Sequence, residues 1–294
     1  MIRIVLLVFA TFCLLSPTAA ASSLSSSSQQ SSIHQGAKAF ATGDYLRAFN
    51  LFTEAIPTSP ELGYANRCRV QLHLQRYQAA ADDCAQAIEH NPNQVEARLN
   101  LGLAYYSLEQ YSAAASQYQQ VLQISPHDYR ASYNLGLAQA STGEHRLAIV
   151  QYSHALETMP PVSHTKAAVY RDRGVSYMLL ENYSEAVRDL TTAIEQDPGD
   201  VLAHFDRGCA YHRSRQLTLA LQEFGWVVEQ APQNAQAYFN QGSVLAQMGK
   251  TARAIATLNQ ALQNAHPADP LTARARHLIQ RLERHRPVAI ALAY

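Results

Sequence analysis

Histidine and cysteine are the residues of this chain that are best suited to metal binding or covalent chemistry. The sequence contains twelve histidines and four cysteines. Two imidazoles bind one ion from a single helix when they lie four residues apart. The pairs nearest to that spacing, His204 with His212 and His277 with His285, are eight residues apart. The histidines therefore indicate packing positions and solvated faces, and they predict a metal site only if another segment adds ligands.

No catalytic sequence motif accompanies these residues. The chain has no glycine-rich phosphate loop and no GxSxG, HExxH or CxxC motif, which would supply a phosphate cradle, a nucleophile, zinc ligands or a redox pair. Lysine plus arginine and aspartate plus glutamate both number 23, so net charge provides no attraction to nucleic acid or to an anionic membrane. We predict a protein that is not an enzyme, needs no cofactor or metal and does not bind nucleic acid.

The first 21 residues have the pattern of a secretory signal peptide. Arg3 precedes an uncharged apolar run over residues 4–15, and small residues follow at Ala19 and Ala21. Twelve apolar residues are short for a helix that spans a bilayer, although a retained anchor is the alternative. We expect export to the periplasm, a lumen or the extracellular space after cleavage. Residues 22–32, which are rich in serine and glutamine, are predicted to be a flexible lead.

Small residues and prolines recur along the chain at an almost constant interval. The stretch over residues 95–128 shows the pattern best, with Leu101, Gly102 and Tyr105 followed by Ala114, Tyr118 and Pro126. One template aligns Gly36, Cys68, Gly102, Gly136, Gly174, Gly208 and Gly242, at intervals of 32, 34, 34, 38, 34 and 34 residues. The same template aligns Ala48, Ala80, Ala114, Ala148, Ala186, Ala220 and Ala254. Small residues let two antiparallel helices approach closely, and a proline ends each unit.

This pattern of Leu-Gly, Tyr, Ala, an aromatic residue and Pro over 34 residues resembles the tetratricopeptide repeat family. The resemblance implies an all-α protein, a right-handed α-solenoid of seven helix-turn-helix repeats over residues 29–267. The repeats are assigned to residues 29–60, 61–94, 95–128, 129–162, 167–200, 201–234 and 235–267, with an insertion at residues 163–166. Residues 268–286 read as an amphipathic capping helix, and residues 287–294 form an apolar tail.

The resemblance also implies which side chains face the concave groove of the solenoid. The sixth place of each first helix holds a short polar residue, namely Asn66, Asn100, Asn134, Asp172, Asp206 and Asn240. Apolar groove residues at other places are Leu99, Leu103, Tyr106, Tyr133, Leu137, Val175, Met178 and Phe205, and basic ones are Arg69, His73, Arg130, Arg171 and Arg213. An amide side chain offers a donor and an acceptor, so a row of amides can bind the backbone of an extended peptide.

The groove predicts the function class. Apolar positions with guanidinium groups suit a peptide that carries hydrophobic and acidic residues. Asn100 and Arg130 match a clamp that some family members use for a C-terminal carboxylate, whereas Ala65, Arg69 and Asn134 depart from it. We predict a non-catalytic scaffold, adaptor or assembly factor that binds a protein or peptide of unknown identity. The alternative is a metal-binding or metal-delivery protein on the same scaffold.

Two of the cysteines are candidates for a disulfide. Cys68 takes the place of the helix-contact glycine in the second repeat, and Cys84 takes an inward place on the facing helix. In an antiparallel hairpin these places lie near each other, and an exported protein meets an oxidising environment. We predict a bond between Cys68 and Cys84 that leaves Cys209 free; the alternative is two small buried thiols.

Overall fold

The computed structural model describes residues 29–284, and these residues form fifteen α-helices with no strand among them. The helices are α1 Gln29–Ala41, α2 Tyr45–Ala55, α3 Pro60–His73, α4 Tyr77–His90, α5 Val95–Ser107, α6 Tyr111–Ile124, α7 Tyr129–Ser141, α8 His145–Thr158, α9 Lys166–Leu179, α10 Tyr183–Gln196, α11 Val201–Arg213, α12 Leu217–Gln230, α13 Ala235–Gln247, α14 Thr251–Asn264 and α15 Pro270–Arg284. The predicted signal peptide and the apolar tail lie outside the described residues. Residues 29–32, assigned from the sequence to the flexible lead, form the start of α1, the helix that Ile33 anchors to the first core cluster.

Consecutive helices pack as seven antiparallel pairs, and each pair stacks on the next. Every odd-numbered helix from α1 to α13 is the first helix of a pair, and the following helix is the second. The helix α15 covers the end of the stack, where Leu271 and Ala275 join the core of α13 and α14. The fold is an α-solenoid whose core is a chain of small hydrophobic clusters between neighbouring helices, as expected when each repeat contacts only its neighbours.

The aligned glycines of the first helices lie against large side chains of the second helices. A methyl group at Gly102 would stand 2.5 Å from Cε1 of Tyr118, and one at Gly136 would stand 2.6 Å from Cε1 of Tyr152. Both rings are almost completely buried. The same contact joins Gly36 to Phe52, Gly174 to Leu190, Gly208 to Phe224 and Gly242 to Leu258. Glycine recurs because a ring or a leucine side chain occupies the space that a Cβ atom would need.

The second pair of helices replaces this contact with a disulfide. Cys68 of α3 and Cys84 of α4 are bonded, both are fully buried, and their Cα atoms lie 5.4 Å apart. They are 16 residues apart, which is also the spacing from Gly102 to Tyr118. The bond therefore stands where the other pairs place a glycine against a large side chain. Cys209 is the free cysteine of the described residues.

Each turn within a pair contains a residue in the left-handed conformation. The seven residues are Gly43, Gln75, Glu109, Gly143, Glu181, Arg215 and Gly249, with φ between 57° and 84°. Each follows the aligned glycine or cysteine of its repeat by seven residues. Glycine adopts this conformation without strain, so the four other residues cost free energy at their turns.

The insertion at residues 163–166 does not interrupt the stack. Met159, before the insertion, and Val169, after it, are buried in one cluster with Tyr152. The helices α8 and α9 pack directly against each other. The first helices on the two sides of the insertion, α7 and α9, are therefore neighbours, as they are elsewhere in the array.

Candidate functional site

The first helices form one continuous face of the solenoid. Each of them contacts the first helix of the next pair, from α1 to α3 through to α13 and the capping helix α15. Within residues 29–284, no second helix contacts the second helix of the next pair. Helices that touch across repeats lie on the inner side of a curved array, so the first helices line its concave surface.

A row of short polar side chains runs along this surface, one from each first helix between α3 and α13. Its members are Asn66, Asn100, Asn134, Asp172, Asp206 and Asn240, and all six are half-buried. The amide groups of Asn100 and Asn134 form no hydrogen bond with any part of the chain that the structure describes. Asn66 donates to the backbone oxygen of Leu62 at 2.8 Å, and Asn240 donates to the sulfur of Cys209 at 3.6 Å. The side-chain amides of Asn100 and Asn134, in the middle of the row, are therefore available to form hydrogen bonds with a ligand.

An apolar row lies one helical turn from the polar row. Leu103, Leu137 and Val175 follow Asn100, Asn134 and Asp172 by three residues, a spacing that puts them on the same helix face. Leu103 is 43% exposed, and Leu137 and Val175 are half-buried. An extended segment lying in the groove would meet hydrogen-bonding groups on one side and apolar side chains on the other.

Some residues that the sequence predicts for the groove face the core instead. Leu99 and Met178 are only 6% and 7% exposed, because they pack against the second helices of their own pairs. The ring of Phe205 makes an edge contact with Phe224, with ring centroids 5.7 Å apart. Phe205 remains half-buried, so part of its ring is exposed on the first-helix face.

Two tyrosines of the groove connect neighbouring repeats. The hydroxyl of Tyr106 lies 3.2 Å from the hydroxyl of Ser141 in the next first helix. The hydroxyl of Tyr133 donates to the carboxylate of Asp172 at 2.8 Å, across the insertion. Burial raises the pKa of both tyrosines, so they hold their protons. These bonds fix the spacing of α5, α7 and α9 along the groove.

The arginines of the groove are largely committed to partners within the fold. Arg130 bonds Asp128 at 2.7 Å and Glu96 at 2.8 Å. Arg171 bonds Asp200 at 3.2 Å and Asp172 at 3.4 Å. Arg130 and Arg171 therefore do not supply the uncompensated positive charge that the sequence predicts. Asp128, Glu96 and Asp200 lie outside the helix of the arginine that each of them pairs with, which the spacing of basic residues alone does not indicate.

Arg69, also predicted for the groove, is positioned by an aromatic residue of the preceding repeat. Its guanidinium carbon stands 4.4 Å from the centre of the Phe40 ring. The ring of His73 makes an edge contact with Phe40 and stacks on Tyr45, with centroids 4.8 Å and 5.2 Å apart. Burial and the charge of Arg69 lower the pKa of His73, so this imidazole adds little charge at neutral pH.

Three carboxylates meet where α9 and α11 border the groove. Asp200 caps α11 by accepting hydrogen bonds from the backbone of Leu202 and Ala203 at 2.9 Å and 3.1 Å. Asp172 is held by Tyr133 and Arg171. Asp206 forms no hydrogen bond or ion pair within residues 29–284. Burial, with the nearby charges of Asp172 and Asp200 opposing the favourable charge of Arg171, raises the pKa of Asp206 to about 7.

The metal-binding alternative finds no support in the arrangement of ligands. In the part of the chain that the structure describes, no three or more His, Cys, Asp or Glu side chains are placed to hold a metal ion. His204 bonds Glu223 through Nδ1 at 2.8 Å and stacks on Trp226 with centroids 3.7 Å apart. His212 lies 2.7 Å from the amide of Gln247. These histidines have protein partners.

The fold and this surface define an all-helical repeat solenoid with a polar and apolar concave face. Models of the tetratricopeptide repeat match residues 102–143, 167–200 and 205–270. These three segments of the chain therefore match tetratricopeptide repeats. Proteins of this family are generally non-catalytic scaffolds for other proteins.

Curated relatives match short segments of the chain. Mouse sperm-associated antigen 1 is 35% identical over 72 residues, which are 24% of this chain and 8% of that protein. The small glutamine-rich tetratricopeptide repeat-containing protein 2 of Saccharomyces cerevisiae is 39% identical over 75 residues, 25% of this chain and 22% of that protein. Human mitochondrial import receptor subunit TOM70 is 34% identical over 86 residues, 27% of this chain and 14% of that protein. The chain thus spans less than a quarter of each relative.

Solved structures match a larger share of the chain. A tetratricopeptide repeat protein from Parabacteroides merdae has a TM-score of 0.61 at 16% identity and covers 87% of this chain and 98% of its own. YrrB, described as a tetratricopeptide repeat protein with an unusual peptide-binding site, has a TM-score of 0.56 at 23% identity and covers 67% of this chain and 99% of its own. At these identities the similarity establishes the fold.

Proposed function

We propose that this protein is a non-catalytic adaptor or assembly factor that binds an extended segment of a partner protein in the concave groove of its repeats. The observation that carries the proposal is the pair of unbonded amides, Asn100 and Asn134, which are half-buried on adjacent first helices. Each amide can donate to a backbone carbonyl and accept from a backbone N–H of a bound chain. Recognition through the backbone leaves the side chains of the partner to the neighbouring apolar and charged positions.

The dimensions of the array suit an extended peptide. Neighbouring packed helices lie about 8–10 Å apart, and an extended chain advances about 3.3 Å per residue. Each repeat therefore corresponds to about three residues of a bound peptide. The four repeats from α5 to α12 would accommodate about twelve residues.

Export of the protein is part of the same proposal. It is supported by the pattern of residues 1–21 and by the bonded pair of Cys68 and Cys84, since disulfides persist in oxidising compartments. No helix within residues 29–284 is both long and apolar enough to cross a bilayer. Mass spectrometry of the protein isolated from its source tests cleavage directly, because the mass shows whether residues 1–21 have been removed.

Peptide selection tests the groove. The full chain would be used to select binders from a displayed library of random twelve-residue peptides, and the dissociation constants of recovered peptides would be measured with an Asn100→Ala, Asn134→Ala variant. The matched control is Gln119→Ala with Gln222→Ala, which removes two exposed amides from the second helices α6 and α12. Each lost hydrogen bond is worth about 1 kcal/mol, so the groove variant should bind about tenfold to a hundredfold more weakly.

The control variant should bind as the wild type does. Equal affinities for all three proteins would contradict a groove site, because the amides of Asn100 and Asn134 would then contribute nothing to binding. Failure to recover any peptide with the folded wild-type chain would also contradict the proposal. Circular dichroism before each measurement establishes that the variants are as helical as the wild type.

A further inference from the structure

The carboxylate of Asp206, in the first helix α11, forms no hydrogen bond or ion pair within residues 29–284. The neighbouring carboxylates of Asp172 and Asp200 already accept hydrogen bonds from Tyr133, from Arg171 and from the backbone at the start of α11. Arg171 divides its guanidinium between these two acids. Asp206 is left with two unoccupied acceptor oxygens in a half-buried position.

The charges around Asp206 make the site attractive to a cation. A single guanidinium, that of Arg171, faces three carboxylates on α9, α11 and the turn before α11. Arg213 lies nearly two turns further along α11 and is exposed, and its charge acts on Cys209. The imidazole of His212 has a lowered pKa, mainly because of burial, and bonds Gln247. The surface between α9 and α11 therefore keeps an excess of negative charge.

Apolar side chains flank the carboxylate. Val175 and Cys209 lie three residues beyond Asp172 and Asp206 on the same helix faces, and both are half-buried. Lysine and arginine carry an apolar stem below their charged end, and the stem packs on surfaces of this kind.

We propose that the part of the groove between α9 and α11 binds a lysine or arginine side chain of the partner peptide, with Asp206 as its counter-ion. This inference rests on the proposed function and adds a side-chain preference to it. It reverses the expectation from the sequence that the groove selects acidic residues. Asparagine occupies the equivalent place in α5, α7 and α13, so the carboxylate is a feature of α9 and α11 and not of the scaffold.

Burial is costly for a carboxylate that has no counter-cation of its own, and the charge of Arg171 is opposed by those of Asp172 and Asp200, which is why the pKa of Asp206 is raised to about 7 in the free protein. A bound ammonium or guanidinium group supplies that counter-cation and favours the ionised form. Asp206 is half-buried, which limits the access of water, so the interaction is stronger than an exposed ion pair.

A change of specificity tests the inference. The library of random twelve-residue peptides would be selected in parallel with the wild-type chain, with Asp206→Asn, with Asp206→Lys and with Glu195→Lys. The last variant makes the same change of charge at an exposed position on the second helix α10. Asp206→Asn introduces the residue that other repeats tolerate, so it separates loss of the charge from loss of the fold.

We expect peptides selected by the wild type and by Glu195→Lys to be enriched in lysine or arginine at one position. Asp206→Asn should lose this enrichment, and Asp206→Lys should select aspartate or glutamate there. Replacing the enriched basic residue by glutamine should weaken binding to the wild type at least about tenfold and leave binding to Asp206→Asn almost unchanged.

Two results would overturn the inference while leaving the groove intact as the binding site. One is that the wild type selects peptides that need Asn100 and Asn134 for binding but are not enriched in lysine or arginine at any position. The other is an identical enrichment with the wild type and both Asp206 variants. If no peptide depends on Asn100 and Asn134, the proposed function itself fails, and the two failures are thereby distinguished.

Discussion

The hydroxyl of Tyr133 donates a 2.8 Å hydrogen bond to Asp172 across the four-residue insertion, from the fourth repeat to the fifth. Tyr106 and Ser141 form a second bond between successive first helices one repeat earlier, about two turns further along the helix. In both bonds the partner lies one residue beyond the position that the repeat interval makes equivalent to the tyrosine. The sequence separation is 35 residues for Tyr106 and Ser141 and 39 residues for Tyr133 and Asp172, because the second pair spans the insertion. The groove thus keeps its register where the sequence interval changes.

Tyr133→Phe should therefore destabilise the protein more than Tyr106→Phe. The first change leaves a half-buried carboxylate with one donor fewer, whereas the second leaves a neutral serine hydroxyl that can turn to another acceptor. We expect a loss of about 1–3 kcal/mol for Tyr133→Phe and at most about 1 kcal/mol for Tyr106→Phe. Urea titrations followed by circular dichroism compare the two, and equal losses would show that the charged acceptor has no special role.

The glycine contacts of the helix pairs give a prediction with an internal control. A Cβ atom at Gly136 would stand 2.6 Å from the buried ring of Tyr152, whereas the nearest atom to a Cβ at Gly225 would be 3.7 Å away. Gly136→Ala should lower the free energy of unfolding by about 1–3 kcal/mol because the ring must move. Gly225→Ala, also within a helix, should raise it by up to about 1 kcal/mol. A destabilising Gly225→Ala with a neutral Gly136→Ala would contradict the packing described here.

The bond between Cys68 and Cys84 occupies the place of a glycine against a large side chain. Cys68→Ser with Cys84→Ser should lower the free energy of unfolding by about 2–4 kcal/mol, because the bond is lost and two hydroxyls are buried in its place. Cys68→Gly with Cys84→Tyr should recover part of the loss by recreating the contact of Gly102 with Tyr118. Urea midpoints under non-reducing conditions test this, and a glycine–tyrosine variant no more stable than the serine variant would refute the equivalence of the two contacts.

Asp206 should make stability depend on pH in the direction opposite to that of a salt-bridged acid. Its pKa in the folded protein, about 7, is above the unfolded value near 3.9, so the folded state binds the proton more tightly. The contribution of Asp206 to the free energy of unfolding is therefore fully present below about pH 4 and is lost as the pH rises to about 7. Asp206→Asn should therefore be more stable than the wild type by up to about 4 kcal/mol at pH 8 and nearly equal to it at pH 4.

Glu195→Gln, which removes an exposed carboxylate, is the control for this comparison and should change stability by less than about 0.5 kcal/mol at either pH. Melting of the three proteins at pH 4 and pH 8 provides the measurement. A larger advantage of Asp206→Asn at pH 4 than at pH 8 would have the wrong sign and would show that Asp206 is stabilised as an anion in the free protein.

The fold could be predicted from the sequence because its signals repeat. One alanine and one proline recur in each unit, and a glycine recurs in every unit except the second, where Cys68 replaces it. These residues make the contacts that join the two helices of a pair. The left-handed turns carry a signal of the same kind, since Gly43, Gly143 and Gly249 follow Gly36, Gly136 and Gly242 at a constant interval of seven. The turns with Gln75 and Glu109 lack that glycine, so only the repeat register indicates them.

The charge of the groove could not be predicted in the same way. Asp200, which pairs with Arg171, lies 29 residues away in a turn before the next first helix. The basic residues of the first helices predict a positive groove, because the sequence does not show which acidic residues of neighbouring repeats form ion pairs with them. Leu99 and Met178 were misplaced for a related reason, since helical spacing alone does not distinguish a groove-facing position from one that tilts into the core.

Photo-crosslinking is the most direct test that a partner lies along the first helices. A benzophenone amino acid would replace Leu103, which is 43% exposed on α5, or Val150, which is 59% exposed on the second helix α8. A biotinylated peptide recovered by selection would then be irradiated with each protein. Binding in the concave groove predicts a crosslink from position 103 and little from position 150. A crosslink from position 150 with none from position 103 would place the partner on the outer face and contradict the proposed function.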